Sequence, residues 1–330
     1  MRTKIVYVLV SDNKDVYLEQ TLVSVYSARL YMPNSEIVLV VDETTDKTLS
    51  EKRSTILKYI SSKVVIRIEG NYTNMQRSRV LKTTLREHVD GDFLFIDSDT
   101  IVMSSLEEVD LFDFDIGAVR DHHVSLNNIY QTLYTSINKY AKIMNWPIEK
   151  ESDNFNSGVM YVKDNNRTRN LYMDWHKYWI EGKSNGINRD QPALIMANLK
   201  NNHIITEISG VWNCQIEFGY KYFKNSKIIH YFASCLPQKR FLIEFMDENL
   251  YLEIKKVGDI DEKIIQMIKN PQDYITDYTL TICEQDLNFL STYIVSAINS
   301  IYYNHPFLFN SINNFLKIIS NLKNRGKYKQ

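Results

Sequence analysis

Phe93-Leu94-Phe95-Ile96-Asp97-Ser98-Asp99-Thr100-Ile101-Val102 sets two acids directly behind four large apolar residues. A short, continuous apolar run reads as a buried strand, so both carboxylates leave a rigid element at its mouth. Alternate residues on extended backbone point the same way, and the Asp-x-Asp spacing therefore lets Asp97 and Asp99 reach one ion. A hard cation such as Mg²⁺ or Mn²⁺ needs oxygen ligands and takes one or two carboxylates plus substrate phosphates. Held there, it would neutralise a departing diphosphate as a Lewis acid. The bland alternative, a solvated turn capping the next helix, does not explain the apolar run in front.

Upstream, residues 4–11, 36–41 and 64–68 read as further strands. Between them, residues 16–30 carry Leu18, Leu22, Val25 and Ala28 at helical spacing, residues 48–60 look helical, and residues 75–88 form a helix bearing Arg77, Arg79, Lys82 and Arg86. The alternation predicts an α/β fold, a mainly parallel sheet flanked by helices. Ligands of such sheets bind outside the carboxyl ends of the strands, where Asp12, Asp42 and Asp97 all fall. Downstream, residues 116–120, 159–163 and 227–232 read as strands and 168–179 and 191–199 as helices, and from about Met246 the pattern is mainly helical.

The chain has 330 residues, 44% of them hydrophobic and 24% charged, which excludes global disorder and allows one large α/β domain with an appended segment. Cys214, Cys235 and Cys283 form no CxxC pair, so neither a zinc site nor a disulfide framework is signalled, and a reducing compartment fits. The apolar stretch at residues 5–10 is too short for a signal-peptide core, and no run of eighteen apolar residues occurs. A cytoplasmic protein is expected. Net charge is −1, yet beyond Asp286 the charged residues are all basic: Lys317, Lys323, Arg325, Lys327 and Lys329.

Five other segments follow a definite order: Ser11-Asp12 with Tyr17, Ser78-Arg79-Val80-Leu81, Phe155-Asn156-Ser157-Gly158-Val159, Asp190-Gln191, and Ile228-Ile229-His230-Tyr231-Phe232. With the Asp97 motif between the second and third, the chain resembles the family 8 glycosyltransferases over roughly residues 4–240. That retaining group, of GT-A type with a Rossmann-like sheet, includes bacterial lipooligosaccharide galactosyltransferases and glycogenin. The resemblance implies that Asp12 and Tyr17 hold the nucleotide base and ribose, and that Arg79 contacts donor phosphate and sugar. It implies a metal site of Asp97, Asp99 and His230, with Ser98 and Asn156 in the donor-binding set. Asp190 and Gln191 would recognise the sugar and flank its anomeric centre, with Asp121 as a further acid nearby. The reaction so implied is transfer of a hexose from a UDP-sugar, with retention, to a glycan or lipid-linked acceptor. Where the family continues from its His to a Lys-Pro-Trp, this chain reads Ala233-Ser234-Cys235-Leu236-Pro237-Gln238-Lys239-Arg240, so Lys239 stands in a shifted register and the Trp is absent. His122 and His123 are equally readable as acceptor-facing or as plain loop residues.

On this reading residues 1–245 form the nucleotide-sugar-binding catalytic domain and residues 246–330 a helical region with a basic tail. From Leu287 onward, aromatic and basic residues without acids suit an anionic membrane face, which makes peripheral contact with the inner membrane a second expectation. A helical subdomain packed on the core, with a solvated basic end, fits the same residues. No nucleic-acid-binding motif accompanies the basic tail, and nucleic acid is not expected as a partner. Rival functions are weaker. A haloacid dehalogenase-like phosphatase would want Thr or Val where Ile101 stands, and would place the motif on its first strand. A sugar nucleotidyltransferase would want a Gly-rich phosphate loop, which residues 8–14 lack. A non-catalytic glycan-binding protein would keep the core without metal-dependent donor binding.

Overall fold

The computed structural model describes residues 1–126, 131–232, 243–275, 289, 290 and 292–327. Its strands are β1 (Lys4–Leu9), β2 (Ile37–Asp42), β3 (Ser62–Ile66), β4 (Phe93–Ile96), β5 (Thr100–Val102), β6 (Ile116–Arg120), β7 (Phe155–Val162), β8 (Ile205–Glu207), β9 (Cys214–Gln215) and β10 (Ile228–His230). Seven of them form a sheet in the order β3-β2-β1-β4-β7-β6-β8, and the other three form a small sheet in the order β5-β10-β9.

Half of the large sheet is parallel: β1 pairs with β2 and β4, Ile5 facing Ile37 and Val6 facing Phe95, and β2 pairs with β3. Every residue of β2 is buried, as expected of a parallel strand covered on both faces, which reads as a continuous apolar run rather than an alternating one. The other half is mixed. Strand β7 runs antiparallel to both β4 and β6, and β6 pairs with β8 in parallel. Strand β7 starts four residues earlier than its apolar stretch suggests, because its poor strand formers are held from outside, Asn156 by pairing with Val119 of β6 and Gly158 by the bond to Asp97 N–H. A register shift between Ala118 and Val119 interrupts the β6–β7 pairing at this point, the kind of bulge that re-aims side chains beside functional sites.

The helix expected over residues 75–88 is broken. It runs Asn74–Thr83, opened by a capping box of Thr73 and Gln76, and a separate turn follows over Leu85–His88. The Thr83 and Thr84 hydroxyls donate to the carbonyls of Arg79 and Val80 at 2.7 and 2.8 Å, the back-bonding by which threonine bends helices. Likewise the segment Glu51–Lys58 winds as a 3₁₀ helix rather than an α-helix.

The chain divides into two compact units. The first contains both sheets, and its core joins Ile5, Leu39 and Ile96 to Leu250, Tyr251 and Ile254 of the helix Glu248–Val257 and to Ile264 and Met267 of the helix Glu262–Lys269. The second contains the helices Tyr293–Asn304 and Pro306–Lys327. Among the described residues no helix is long and apolar enough to cross a membrane. Cys214 is buried and its thiol is pushed up to about 12 by that burial, so it acts as an inert small side chain. Cys235 and Cys283 lie outside the described residues.

Candidate active site

Both sheets pin the Asp-x-Asp turn. Asp97 N–H donates to the Gly158 carbonyl at 2.7 Å, continuing the β4–β7 pairing, and the Asp99 carbonyl accepts from Tyr231 N–H at 3.1 Å, just past β10. The turn therefore brings the end of β4 and the end of β10 together. Asp97, Asp99 and His230 each offer a ligand atom, and these atoms lie within 4.8 Å of one another. His230 Nε2 is 3.2 Å from Asp99 Oδ1.

Second-layer bonds fix the imidazole. His230 Nδ1 lies 3.0 Å from Asn213 Oδ1, while Asn213 Nδ2 donates to Asn156 Oδ1 at 2.9 Å. Asn213 is thus oriented to accept from Nδ1–H, which aims Nε2 at the two carboxylates, the usual way a metal-binding histidine is held. Gly158 makes room for the cluster: a Cβ there would lie 2.3 Å from His230 Cε1 and 2.9 Å from both Asn156 Oδ1 and Asp97 Oδ2. Two carboxylates and one imidazole around a space kept open by glycine fit a hard or borderline divalent ion.

The electrostatics divide the two acids. Burial pushes Asp99 up, but His230, the Asp99 backbone N–H and Lys82 together hold the carboxyl below its ordinary range. Asp97 is pushed up, by burial first and by the nearby Asp99 charge, against the pull of Lys82. That lysine is 4% exposed, and its Nζ lies 3.0 and 3.1 Å from the two Asp97 carboxylate oxygens.

A cavity of about 390 Å³ opens on this cluster. It is lined by the three candidate ligands and by Tyr17, Arg79, Ser98, Asn156, Asp190 and Gln191, so the fold gathers nine of the twelve residues singled out from sequence. Arg79 Nε lies 3.0 Å from Asp190 Oδ1. Burial alone would push the Asp190 carboxyl up, but the Arg79 charge, aided by Lys82, holds it down. The Asp190 backbone is steadied by Trp175, whose indole N–H donates to its carbonyl at 3.0 Å. Gln191 Nε2 donates to Asn154 Oδ1 at 3.0 Å, and Ser98 Oγ accepts from Thr21 at 2.9 Å.

Two of the others stand outside the cavity lining. Asp121 is 4% exposed and sits behind the cavity wall, its Oδ1 accepting from Asn156 Nδ2 at 2.9 Å. Asn156 in turn accepts from Gly158 N–H and from Asn213, so it ties the metal cluster to Asp121. Asp12 reaches the cavity through Asn74, which donates to Asp12 Oδ2 at 3.0 Å and accepts from Arg77. Arg77 is in turn clamped at 2.8 Å by Asp42. The Lys14 N–H and the Asn74 amide hold the Asp12 carboxyl below its usual range. Lys239 lies outside the described residues.

His122 and His123 both adopt left-handed backbone, with φ of 58° and 60°. His122 stacks on Phe218 with ring centres 3.4 Å apart, and His123 Nε2 accepts from Gln215 N–H at 3.0 Å. Burial pushes His123 down to about 4 and lowers His122 as well, so both rings are neutral at pH 7. Sequence reasoning passed over Lys82, Asn213 and Gln20. Lys82 was only one of four cations on a helix, and Asn213 carries no motif. Gln20 lies on a helix face that looks like core, and its Oε1 is buried beside the cavity without a hydrogen-bond partner.

Comparison with known proteins agrees with this arrangement. The chain matches glycosyl transferase family 8 over residues 8–237, well over half its length. No curated protein matches it. Among solved structures it is similar to the galactosyltransferase LgtC in complex with donor and acceptor sugar analogs, at 16% identity and a TM-score of 0.50, over 80% of this chain and 99% of that one. It is also similar to mouse xyloside xylosyltransferase 1 in its apo form, at 16% identity and a TM-score of 0.46, over 72% of this chain and 99% of that one. At 16% identity the likeness to the LgtC structure speaks for the fold alone, the α/β architecture of GT-A enzymes. The family match covers every residue of the cavity wall described above, and this chain, a glycosyltransferase, belongs to glycosyl transferase family 8.

Proposed function

We propose that the enzyme transfers a hexose from a UDP-sugar to a glycan or lipid-linked glycan, using Mn²⁺ or Mg²⁺ held by Asp97, Asp99 and His230. The observation that carries this reading is the opening of one cavity on both the candidate metal ligands and the Arg79–Asp190 pair. When bound, the ion supplies Lewis-acid stabilisation of the diphosphate as it leaves. Arg79 adds a second positive charge for that leaving group, while Asp190 and Gln191 hold the sugar and face the positive charge that develops at its anomeric carbon. Asn156, fixed from behind by Asp121, binds the donor sugar. Tyr17, 39% exposed at the cavity rim, offers a ring for the base, with Asp12 and Ser98 for the rest of the nucleotide and Lys239 for the diphosphate. Asp190 is already paired with Arg79, which suits electrostatic stabilisation better than the free carboxylate nucleophile of retaining hydrolases. Retention rests on the family resemblance.

We assign donor binding and chemistry to residues 1–245 and attachment to acceptor or membrane to the helical region beyond. The helix Pro306–Lys327 exposes Phe307, Phe315, Leu316 and Ile318, and its sequence ends in basic residues. Such a surface suits peripheral binding to the anionic inner face of a membrane by a cytoplasmic protein. Salt-sensitive cosedimentation with phosphatidylglycerol vesicles, but not with neutral ones, is the expected result, and equal behaviour with both would refute it.

Thermal melting with a panel of nucleotide sugars, with Mn²⁺ or with chelator, tests the donor assignment. A donor at about 100 times its Kd contributes about 2.7 kcal/mol, worth several degrees in a chain of this size. Only UDP-sugars should give that shift, and only with the cation present. A shift that persists undiminished in chelator would sink the metal-dependent reading.

A further inference from the structure

Lys82 has no part in the donor site outlined above, yet it is the most deeply buried cation in the cavity wall. Its ammonium lies 3.0 and 3.1 Å from the two Asp97 oxygens and 4.8 Å over the Phe95 ring, with 4% of the side chain exposed. Each oxygen that Asp97 would present to a metal already faces a positive charge. A divalent ion arriving at Asp97 would place a second cation on the same carboxylate, which cannot neutralise both.

The charge balance of the cavity points the same way. Its ionisable lining is Asp97, Asp99, Asp190, Arg79 and Lys82, together with Tyr17 and His230. Three carboxylates, Asp97, Asp99 and Asp190, face two permanent cations, Arg79 and Lys82, an excess of one negative charge. A divalent ion alone turns this into one net positive charge, whereas the ion together with a diphosphate bearing two charges restores one net negative charge. Without Lys82 the lining would carry two negative charges, and the ion alone would balance them.

Resting on the donor-site reading above, we propose that Lys82 is a positioning residue that locks Asp97 and makes metal binding conditional on donor. The ammonium holds the carboxylate until the diphosphate enters, then takes a phosphate oxygen as its new partner and releases Asp97 to the metal. Its four-carbon stem lets it change partners, and it lines the cavity the diphosphate would occupy. Metal and donor then strengthen each other's binding by the same factor, as linkage requires.

The test is Mn²⁺ titration followed by electron paramagnetic resonance, with and without UDP, on the wild-type chain and on Lys82→Met, Lys82→Gln and Lys82→Arg. In the wild type UDP should tighten Mn²⁺ binding by about tenfold or more, inside the usual 5–150-fold range of coupling between sites. Lys82→Met should bind Mn²⁺ alone more tightly than wild type by about fivefold, with UDP adding less than about threefold, while Lys82→Arg keeps the wild-type coupling. Lys82→Gln, polar and close in length, gives the same readout should the methionine variant fail to fold. A merely structural lysine would change the melting temperature and leave the coupling factor alone. Unchanged coupling in the neutral variants, or weaker Mn²⁺ binding without UDP, overturns the proposal while leaving the donor site standing. Absence of Mn²⁺ binding to wild type under either condition would remove the donor-site reading and this inference with it.

Discussion

Asp97→Asn should lower the rate of sugar transfer by about 10²–10³-fold at saturating donor. The substitution keeps the size of the side chain and one oxygen, but removes the charge that faces Lys82 and would face the proposed metal. Lewis-acid stabilisation of a departing diphosphate is worth several kcal/mol, and each 1.36 kcal/mol of barrier is tenfold in rate. A second cost falls on stability, because Lys82 would lose its counter-ion. Breaking a buried pair costs about 3–5 kcal/mol, but the Asp97 side chain is 29% exposed, and solvent screening reduces the figure to about 1–2 kcal/mol. Steady-state transfer assays and melting curves separate the two effects. A variant within tenfold of wild type at saturating donor would place the leaving-group stabilisation elsewhere.

Gly158→Ala is the second large effect, and it comes from shape alone. The added Cβ would fall 2.3 Å from His230 Cε1 and 2.9 Å from Asp97 Oδ2. Gly158 lies in the break of the β6–β7 register, but its carbonyl is held by Asp97 N–H at the end of β4, which anchors the backbone beside the ring. The imidazole must therefore move. Overpacking of this kind costs about 1–3 kcal/mol, and displacement of a catalytic group by 1 Å can cost about 10²-fold in rate. The variant should melt a few degrees lower, bind Mn²⁺ poorly with UDP present, and transfer sugar about a hundredfold more slowly. Wild-type Mn²⁺ affinity in this variant would mean that His230 is not a ligand.

How much of this could be read from sequence depended on how local each signal was. The apolar run before Asp97 and its two-residue spacing are contained in ten residues, and both the strand and the turn stand where they were expected. His230 lies more than a hundred residues further on, and nothing in Ile-Ile-His sets it apart from an ordinary buried histidine; only the order of the family's segments pointed to it. Strand β7 hid its beginning because the site places Asn156, Ser157 and Gly158 where a strand would ordinarily carry apolar side chains. The break at Thr84 was missed because helical periodicity continues across it, while the hydroxyl back-bonds that cause it leave no periodic trace. Lys82 and Asn213 were hardest to see. Each works through a partner brought close by the fold, 15 residues away for Lys82 and 17 for Asn213, and neither belongs to a motif. Asp121, read as an acid near the sugar, stands one layer back, where its carboxylate orients Asn156.

Crystals grown with Mn²⁺ and UDP, measured at a wavelength where manganese scatters anomalously, test the account at its centre. A single peak should appear about 2.1 Å from one oxygen each of Asp97 and Asp99 and from His230 Nε2, bridged to the UDP phosphates. UDP bound in the cavity with no manganese peak between those three side chains would contradict it.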